Sequence, residues 1–219
     1  MNDLLINYKQ KIKNLEKVTG KSIYKDLENE KDEINFFSKL SEIKIGSYLL
    51  DKSFDDLTYE PKIEGKRPDW QVNKNGDKII IEVLKINLPN EKFTKKIESF
   101  KRGEYYIPPS GLYMGLAMLN KNDKDKIEIK EMKYRELIKR KEYKLMIGID
   151  ASEWDKRIDA QDIMDTFNFE NMKSNESDFI KNVTGLILIP YMGNTEFILN
   201  KNCENQLCNE NLLIMTRSC

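Results

Sequence analysis

The residues best suited to chemistry are two acidic side chains, Asp69 and Glu82, which flank a tight turn in the first half of the chain. Asp69 follows a proline, and Glu82 lies inside an apolar run that predicts a strand. The Asn75-Gly76 pair between them is typical of a two-residue hairpin loop, because both residue types tolerate positive φ. Continuing the register of such a hairpin outward sets Asp69 opposite Glu82.

Two carboxylates on paired strands present the oxygen ligands that Mg²⁺ prefers, with waters and a phosphate oxygen completing its shell. A hard cation there can activate a water and offset the charge that builds during phosphodiester hydrolysis. The chain contains no histidine, which excludes His-based triads, His-ligated zinc hydrolases and His-dependent nucleases. We therefore expect any hydrolysis to depend on carboxylates, lysines and Mg²⁺, with Mn²⁺ as a substitute.

The segment from Glu42 to Leu84 resembles the PD-(D/E)XK superfamily of restriction-endonuclease-like nucleases. In that family an acidic residue on a helix, an Asp after Pro and a Glu-x-Lys on the next strand surround Mg²⁺. Here the corresponding segments are Ser41–Leu50, Pro68-Asp69 and Glu82-Val83-Leu84. The resemblance implies that Asp69 and Glu82 are metal ligands and that Glu42 is a supporting ligand.

Leu84 stands where the family has its lysine. Lys85 follows it but is predicted to point to the opposite face of the strand, unless a bulge re-aims it. The resemblance implies that another element supplies the basic group. Lys139 is our preferred candidate, and Lys85, Lys78 and Lys141 are the alternatives.

The pattern along the chain predicts an α/β fold with a mixed central β-sheet flanked by helices, in a single domain over residues 1–219 with an insertion at about 87–130. Residues 144–150 resemble the next core strand of the family, and residues 197–207 resemble a C-terminal hairpin tail of related bacterial proteins. The resemblance thus implies a restriction-endonuclease-like core. Helices are predicted at 4–18, 33–50, 91–101, 129–142, 160–167 and 175–182, and strands at 59–63, 68–73, 78–86, 144–149, 185–190, 195–199 and 212–216.

Charge alone does not identify a partner, because 37 Lys and Arg residues balance 37 Asp and Glu residues. A neutral chain binds nucleic acid only if its cations gather on one face. The predicted basic helix is either such a phosphate-binding surface or a solvated face, and its cations are Lys130, Lys133, Lys139, Arg140 and Lys141. Asp150, at the end of a predicted buried strand, is either a site residue or the start of a loop.

The three cysteines, Cys203, Cys208 and Cys219, all lie late in the chain. An odd number clustered there does not make a disulfide framework, and without histidine it does not complete a zinc site. The chain also shows neither a signal peptide nor an apolar run long enough to span a membrane. We therefore expect a cytoplasmic protein.

The leading hypothesis from the sequence is a Mg²⁺-dependent endonuclease that cuts DNA in restriction or defence. We expect a homodimer, because cutting both strands commonly uses two copies. One alternative is a catalytically degenerate module that kept the fold and binds nucleic acid or a protein partner. A third hypothesis is an interaction protein whose inserted segment contacts a partner, with Asp69 and Glu82 paired to lysines.

Overall fold

A six-stranded mixed sheet forms the centre of the protein, as seen in a computed structural model that describes residues 2–54, 56–86, 98, 121–152, 158–167, 178–190 and 193–216. The strands lie side by side in sequence order. The three central strands are parallel, and every other neighbouring pair is antiparallel. This arrangement confirms the predicted mixed α/β class. The strands are β1 (Leu57–Tyr59), β2 (Trp70–Lys74), β3 (Asp77–Lys85), β4 (Lys144–Asp150), β5 (Val183–Ile189) and β6 (Glu196–Leu199).

Helices cover both faces of this sheet, and the described helices of the two crossover connections between parallel strands all pack onto one face. The described helices are α1 (Asn2–Thr19), α2 (Ile23–Glu28), α3 (Glu33–Asp51), α4 (Lys121–Lys139), α5 (Ala160–Phe167), α6 (Asp178–Asn182) and α7 (Asn209–Thr216). One apolar cluster joins α1, α2, α3 and α7 to the first face. A second cluster joins α4, α5 and α6 to the other. None of the described helices is both long enough and apolar enough to cross a membrane.

The predicted hairpin is confirmed in its turn and in its register. Lys74 pairs with Asp77, and the two loop residues have φ of 50° and 81°. These positive angles are the ones that Asn-Gly loops supply. The ladder continues outward to the pair Trp70 and Ile81, so the next positions along the two strands are Asp69 and Glu82.

Side-chain alternation along β3 also follows the prediction. Ile79 and Ile81 belong to the apolar cluster with α3, whereas Ile80 belongs to the cluster with α4 and Leu84 packs against that cluster. Period-two alternation therefore directs Glu82 toward α4.

Two predicted strands are corrected. The strand expected at 59–63 ends at Tyr59, and the chain then turns, with Ile63 and Lys66 closing a short bridge. Pro61 has no N–H to donate to a ladder, which is consistent with this early end. The strand expected at 212–216 is the helix α7. A short apolar run is compatible with a buried helix or a strand, and here Leu212 and Met215 pack on the first cluster at helical spacing.

The basic helix is longer toward its N-terminus than predicted. It begins at Lys121, so the last ten residues of the insertion predicted at about 87–130 belong to α4. Within them Ile127 is buried, and Lys124 and Glu128 pair at i,i+4 spacing. Apart from residue 98, the predicted helix at 91–101 lies outside the described residues, as does most of the inserted segment.

Candidate functional site

Glu82 is a buried carboxylate held by one face of α4. Its side chain is 1% exposed. Oε2 accepts from Lys130 Nζ at 2.7 Å, and Oε1 accepts from Lys133 Nζ at 2.8 Å and from the Tyr134 hydroxyl. The three donors are spaced i, i+3 and i+4, which places them together on a helix surface. These ion pairs and hydrogen bonds offset the cost of burying the charge.

Asp69 lies at the start of β2, one position beyond the last paired residues of the ladder with β3. Its Oδ2 accepts from the Val83 N–H at 2.6 Å, which fixes the carboxylate beside the backbone of the neighbouring strand. The charge of Glu82 acts on Asp69, as expected for carboxylates at adjoining ladder positions. The structure therefore brings together the two residues that the hairpin register predicts.

Glu42 reaches the same region from α3. Its backbone carbonyl accepts from Trp70 Nε1 at 2.9 Å, and its Oε2 accepts from the Tyr59 hydroxyl at 2.6 Å. The two aromatic rings are 4.7 Å apart. Trp70 also lies against Gly46, where an added Cβ would be 2.4 Å from the indole ring. The absence of a side chain at this glycine lets α3 approach β2 and hold Glu42 near Asp69.

The charges of Glu82, Asp69 and Glu42 affect ionisation within the group. Burial, and then the charge of Glu82, raise the pKa of Asp69 to about 6. Burial, and then the charge of Asp69, raise the pKa of Glu42 to about 8, although the hydrogen bond from Tyr59 opposes this shift. Ionisation of Asp69 and of Glu42 is therefore opposed first by burial and then by a neighbouring carboxylate.

Lys130 is the basic residue that interacts with all three carboxylates. Burial alone would lower the pKa of Lys130, but the charges of Glu82, Asp69 and Glu42 outweigh it and the pKa is raised. In turn, the Lys130 ammonium opposes the rise in the pKa of both Asp69 and Glu42. Lys130 therefore carries a fixed positive charge at the centre of the cluster.

The donor chemistry of the cluster fits a hard divalent cation, which takes carboxylate oxygens and water. Within the described part of the chain, no hydrogen bond uses Asp69 Oδ1 or Glu42 Oε1. No set of three or more Asp, Glu, Cys or His side chains among the described residues is arranged to hold a metal ion. The ligands to consider are therefore Asp69 and Glu82, and both oxygens of Glu82 already accept from ammonium groups.

The lysines favoured from the sequence lie elsewhere. Lys85 is on the opposite face of β3, with its Nζ 4.0 Å from Asp150. Lys139 is 4.0 Å from Asp178, and nine residues of helix, about 13 Å, separate it from Lys130. The other two candidates are also placed away from the carboxylates, Lys78 over the Tyr143 ring and Lys141 beyond the end of α4 in a positive-φ conformation.

Sequence analysis includes Lys130 and Lys133 among the cations of the basic helix but does not place them, or Tyr134, at Glu82. All three were visible as a basic and aromatic group at i, i+3 and i+4 spacing. Their relation to Glu82 depends on how α4 packs across β3, which the local pattern does not specify. Leu84, in place of the family lysine, is half-buried against the α4 cluster.

Asp150 belongs to a second, fully paired group on the other side of α3. Its Oδ2 accepts from Ser41 Oγ at 2.6 Å and from Lys44 Nζ at 2.8 Å, and Ser152 N–H donates to Oδ1 at 3.1 Å. Burial opposes ionisation, but the charges of Lys44 and Lys85 hold the pKa of Asp150 well below its usual range. Asp150 therefore holds α3 through Ser41 and Lys44, which flank Glu42 in the sequence.

Comparisons of this chain with protein-family models, with curated proteins and with solved structures found no match.

Proposed function

We propose that the protein is a Mg²⁺-dependent endonuclease of the PD-(D/E)XK type that cuts DNA. The observation that carries the proposal is the placement of Asp69 and Glu82 at adjoining ladder positions, with Lys130 within electrostatic reach of both. Glu42 joins them from the preceding helix, as the family arrangement implies. A restriction or defence role, a homodimer and a restriction-endonuclease-like core belong to the same proposal.

In this proposal Asp69 and Glu82 hold the cation, and Glu42 supports it. When bound, a hard cation activates water and offsets charge on the phosphate oxygens. Lys130 takes the role of the lysine that the resemblance implies at the position of Leu84. Its ammonium contacts Glu82 from the helix α4, whereas a lysine at position 84 would belong to the strand β3. There it can orient a water or stabilise negative charge on the reacting phosphate.

Cations beside the carboxylates support a polyanionic substrate. Lys62 and Arg67 are exposed in the turn between β1 and β2. Contacts between this turn and α4 hold it in place, since Lys66 donates to the Lys133 carbonyl and Lys133 Nζ donates to the Arg67 carbonyl at 3.2 Å. The turn carries three cations, Lys62, Lys66 and Arg67, against two carboxylates, Glu60 and Glu64, so phosphate groups approaching Glu82 would meet a small excess of positive charge.

A second candidate function is a nuclease-fold module that binds nucleic acid or a protein without cutting. The observation that favours it is the occupancy of both Glu82 oxygens by Lys130 and Lys133. Two ammonium groups already neutralise this carboxylate, and a protein that has lost its metal would need such pairing. Pairing of Glu82 with lysines is also what the third hypothesis, an interaction protein, predicts.

Incubation with supercoiled plasmid separates these functions. We expect nicking by the wild type with Mg²⁺ or Mn²⁺, none with a chelator, and at least a hundredfold loss in Asp69→Asn and Lys130→Met. The matched control is Asp178→Asn, which removes a carboxylate near the far end of α4. Equal cutting by Asp69→Asn and the wild type would contradict the proposed site, and metal-independent binding without cutting would establish the second candidate.

A further inference from the structure

We propose that Lys133 acts as an exchangeable internal cation, which leaves Glu82 when a divalent metal ion binds there. This inference rests on the proposed metal site. It concerns the cations that pair with the Glu82 carboxylate while no metal ion is bound. Lys130 stays in place as the permanent cation of the cluster. Metal binding and the pairing of Lys133 with Glu82 therefore exclude one another.

The first observation is that Glu82 is buried and already accepts from three donors. Three donors from α4 occupy its two oxygens, and the side chain is 1% exposed. A metal shared with Asp69 needs an oxygen lone pair of Glu82, and an ammonium on that lone pair competes for the same electrons and repels the cation. Departure of one ammonium from Glu82 would remove both this competition and this repulsion.

The second observation distinguishes the two lysines. The Lys133 side chain is 42% exposed, compared with 27% for Lys130. Lys133 also has a second acceptor, the Arg67 carbonyl at 3.2 Å, on the turn that carries the exposed cations. It can leave Glu82 toward water without losing every partner, whereas Lys130 is held by the charges of three carboxylates.

The third observation concerns the groups that surround Lys133 while it still pairs with Glu82. Its Nζ lies 5.0 Å from the Tyr134 ring centre and beside the main chain of Arg67. On this surface a released ammonium joins Lys62 and Arg67 and adds a charge for phosphate. Metal loading would thus strengthen the substrate surface at the same time as it completes the carboxylate site.

The test is a titration of purified metal-free protein with Mn²⁺, followed by calorimetry and by the electron paramagnetic resonance signal of free Mn²⁺. We expect Lys133→Met to bind Mn²⁺ at least tenfold more tightly than the wild type, because one charge-assisted hydrogen bond no longer competes. Lys126→Met is the matched control, since it removes an exposed lysine from the same helix with no contact to Glu82. It should change the affinity less than twofold.

The outcomes separate the exchange from the proposed function. Tighter binding by Lys133→Met than by a wild type that also binds supports both. Binding by Lys133→Met alone supports the exchange and contradicts metal-dependent cutting by the natural chain. Equal affinities for Lys133→Met, Lys126→Met and the wild type overturn the exchange while leaving the metal site. Absence of binding in every variant overturns both, provided that circular dichroism shows Lys133→Met to be folded.

Discussion

Removing the charge of Glu42 tests the electrostatics of the carboxylate cluster. Glu42→Gln keeps an oxygen that can accept from Tyr59 but cannot ionise. The pKa of Glu42 is raised from 4.5 to about 8, so between these values the folded protein binds a proton that the unfolded chain does not. Wild-type stability must therefore fall as the pH rises through this window, since stability falls wherever the folded state binds more protons.

The size of the effect follows from the shift. One pKa unit corresponds to about 1.4 kcal/mol, so a shift of this size changes the stability between pH 5 and pH 8 by roughly 3–4 kcal/mol for Glu42 and the Asp69 carboxyl that interacts with it. That is a large part of a typical domain stability of about 5–15 kcal/mol. Relative to the wild type, Glu42→Gln should therefore gain stability steadily from pH 5 to pH 8.

Urea denaturation at pH 5, 6, 7 and 8 without divalent metal measures this difference. Taking the variant minus the wild type cancels the titration of groups that do not interact with Glu42, whereas Asp69 does interact with it and contributes to the difference. Glu28→Gln, an exposed residue of α2, is the matched control for removing one carboxylate. A difference between Glu42→Gln and the wild type that stays constant with pH would refute the argument that Asp69 and burial destabilise the ionised form of Glu42.

Three further predictions concern the surroundings of the site. Gly46→Ala should destabilise the protein by about 1–3 kcal/mol in urea unfolding, because the added Cβ would lie 2.4 Å from the Trp70 ring. An unchanged urea midpoint would contradict the close approach of α3 to β2. Asp150→Asn should lower the free energy of unfolding by about 3–5 kcal/mol in the same assay, because it leaves Lys44 without its buried partner. A decrease below about 1 kcal/mol would count against that pairing. Mn²⁺ affinity should increase between pH 5 and pH 7 as Asp69 loses its proton, since a ligand carboxyl must be ionised, and a pH-independent affinity in calorimetry would exclude Asp69 as a ligand.

The pairing of Asp69 with Glu82 could be predicted from the sequence because its determinants are local. An Asn-Gly loop fixes its own backbone angles, the loop fixes the register, and strand alternation then assigns each side chain to a face. The apolar residues of β3 separate between the two clusters as that alternation requires. No long-range information was needed for this part of the site.

The basic residues could not be predicted in the same way. Lys130 and Lys139 belong to the same helix, and which of them meets Glu82 depends on where α4 crosses β3. That crossing is set by packing between distant segments, including the burial of Ile127 and Tyr134. Short apolar runs were also ambiguous, as the helix α7 in place of a strand illustrates.

The central claim is that Asp69 and Glu82 share one divalent cation. Diffraction from crystals soaked in Mn²⁺, recorded near the manganese absorption edge, measures this directly. We expect an anomalous peak in contact with a carboxylate oxygen of each residue, with Lys133 moved away from Glu82. A structure at saturating Mn²⁺ with no peak between the two carboxylates, and with Lys130 and Lys133 still bound to Glu82, would contradict it.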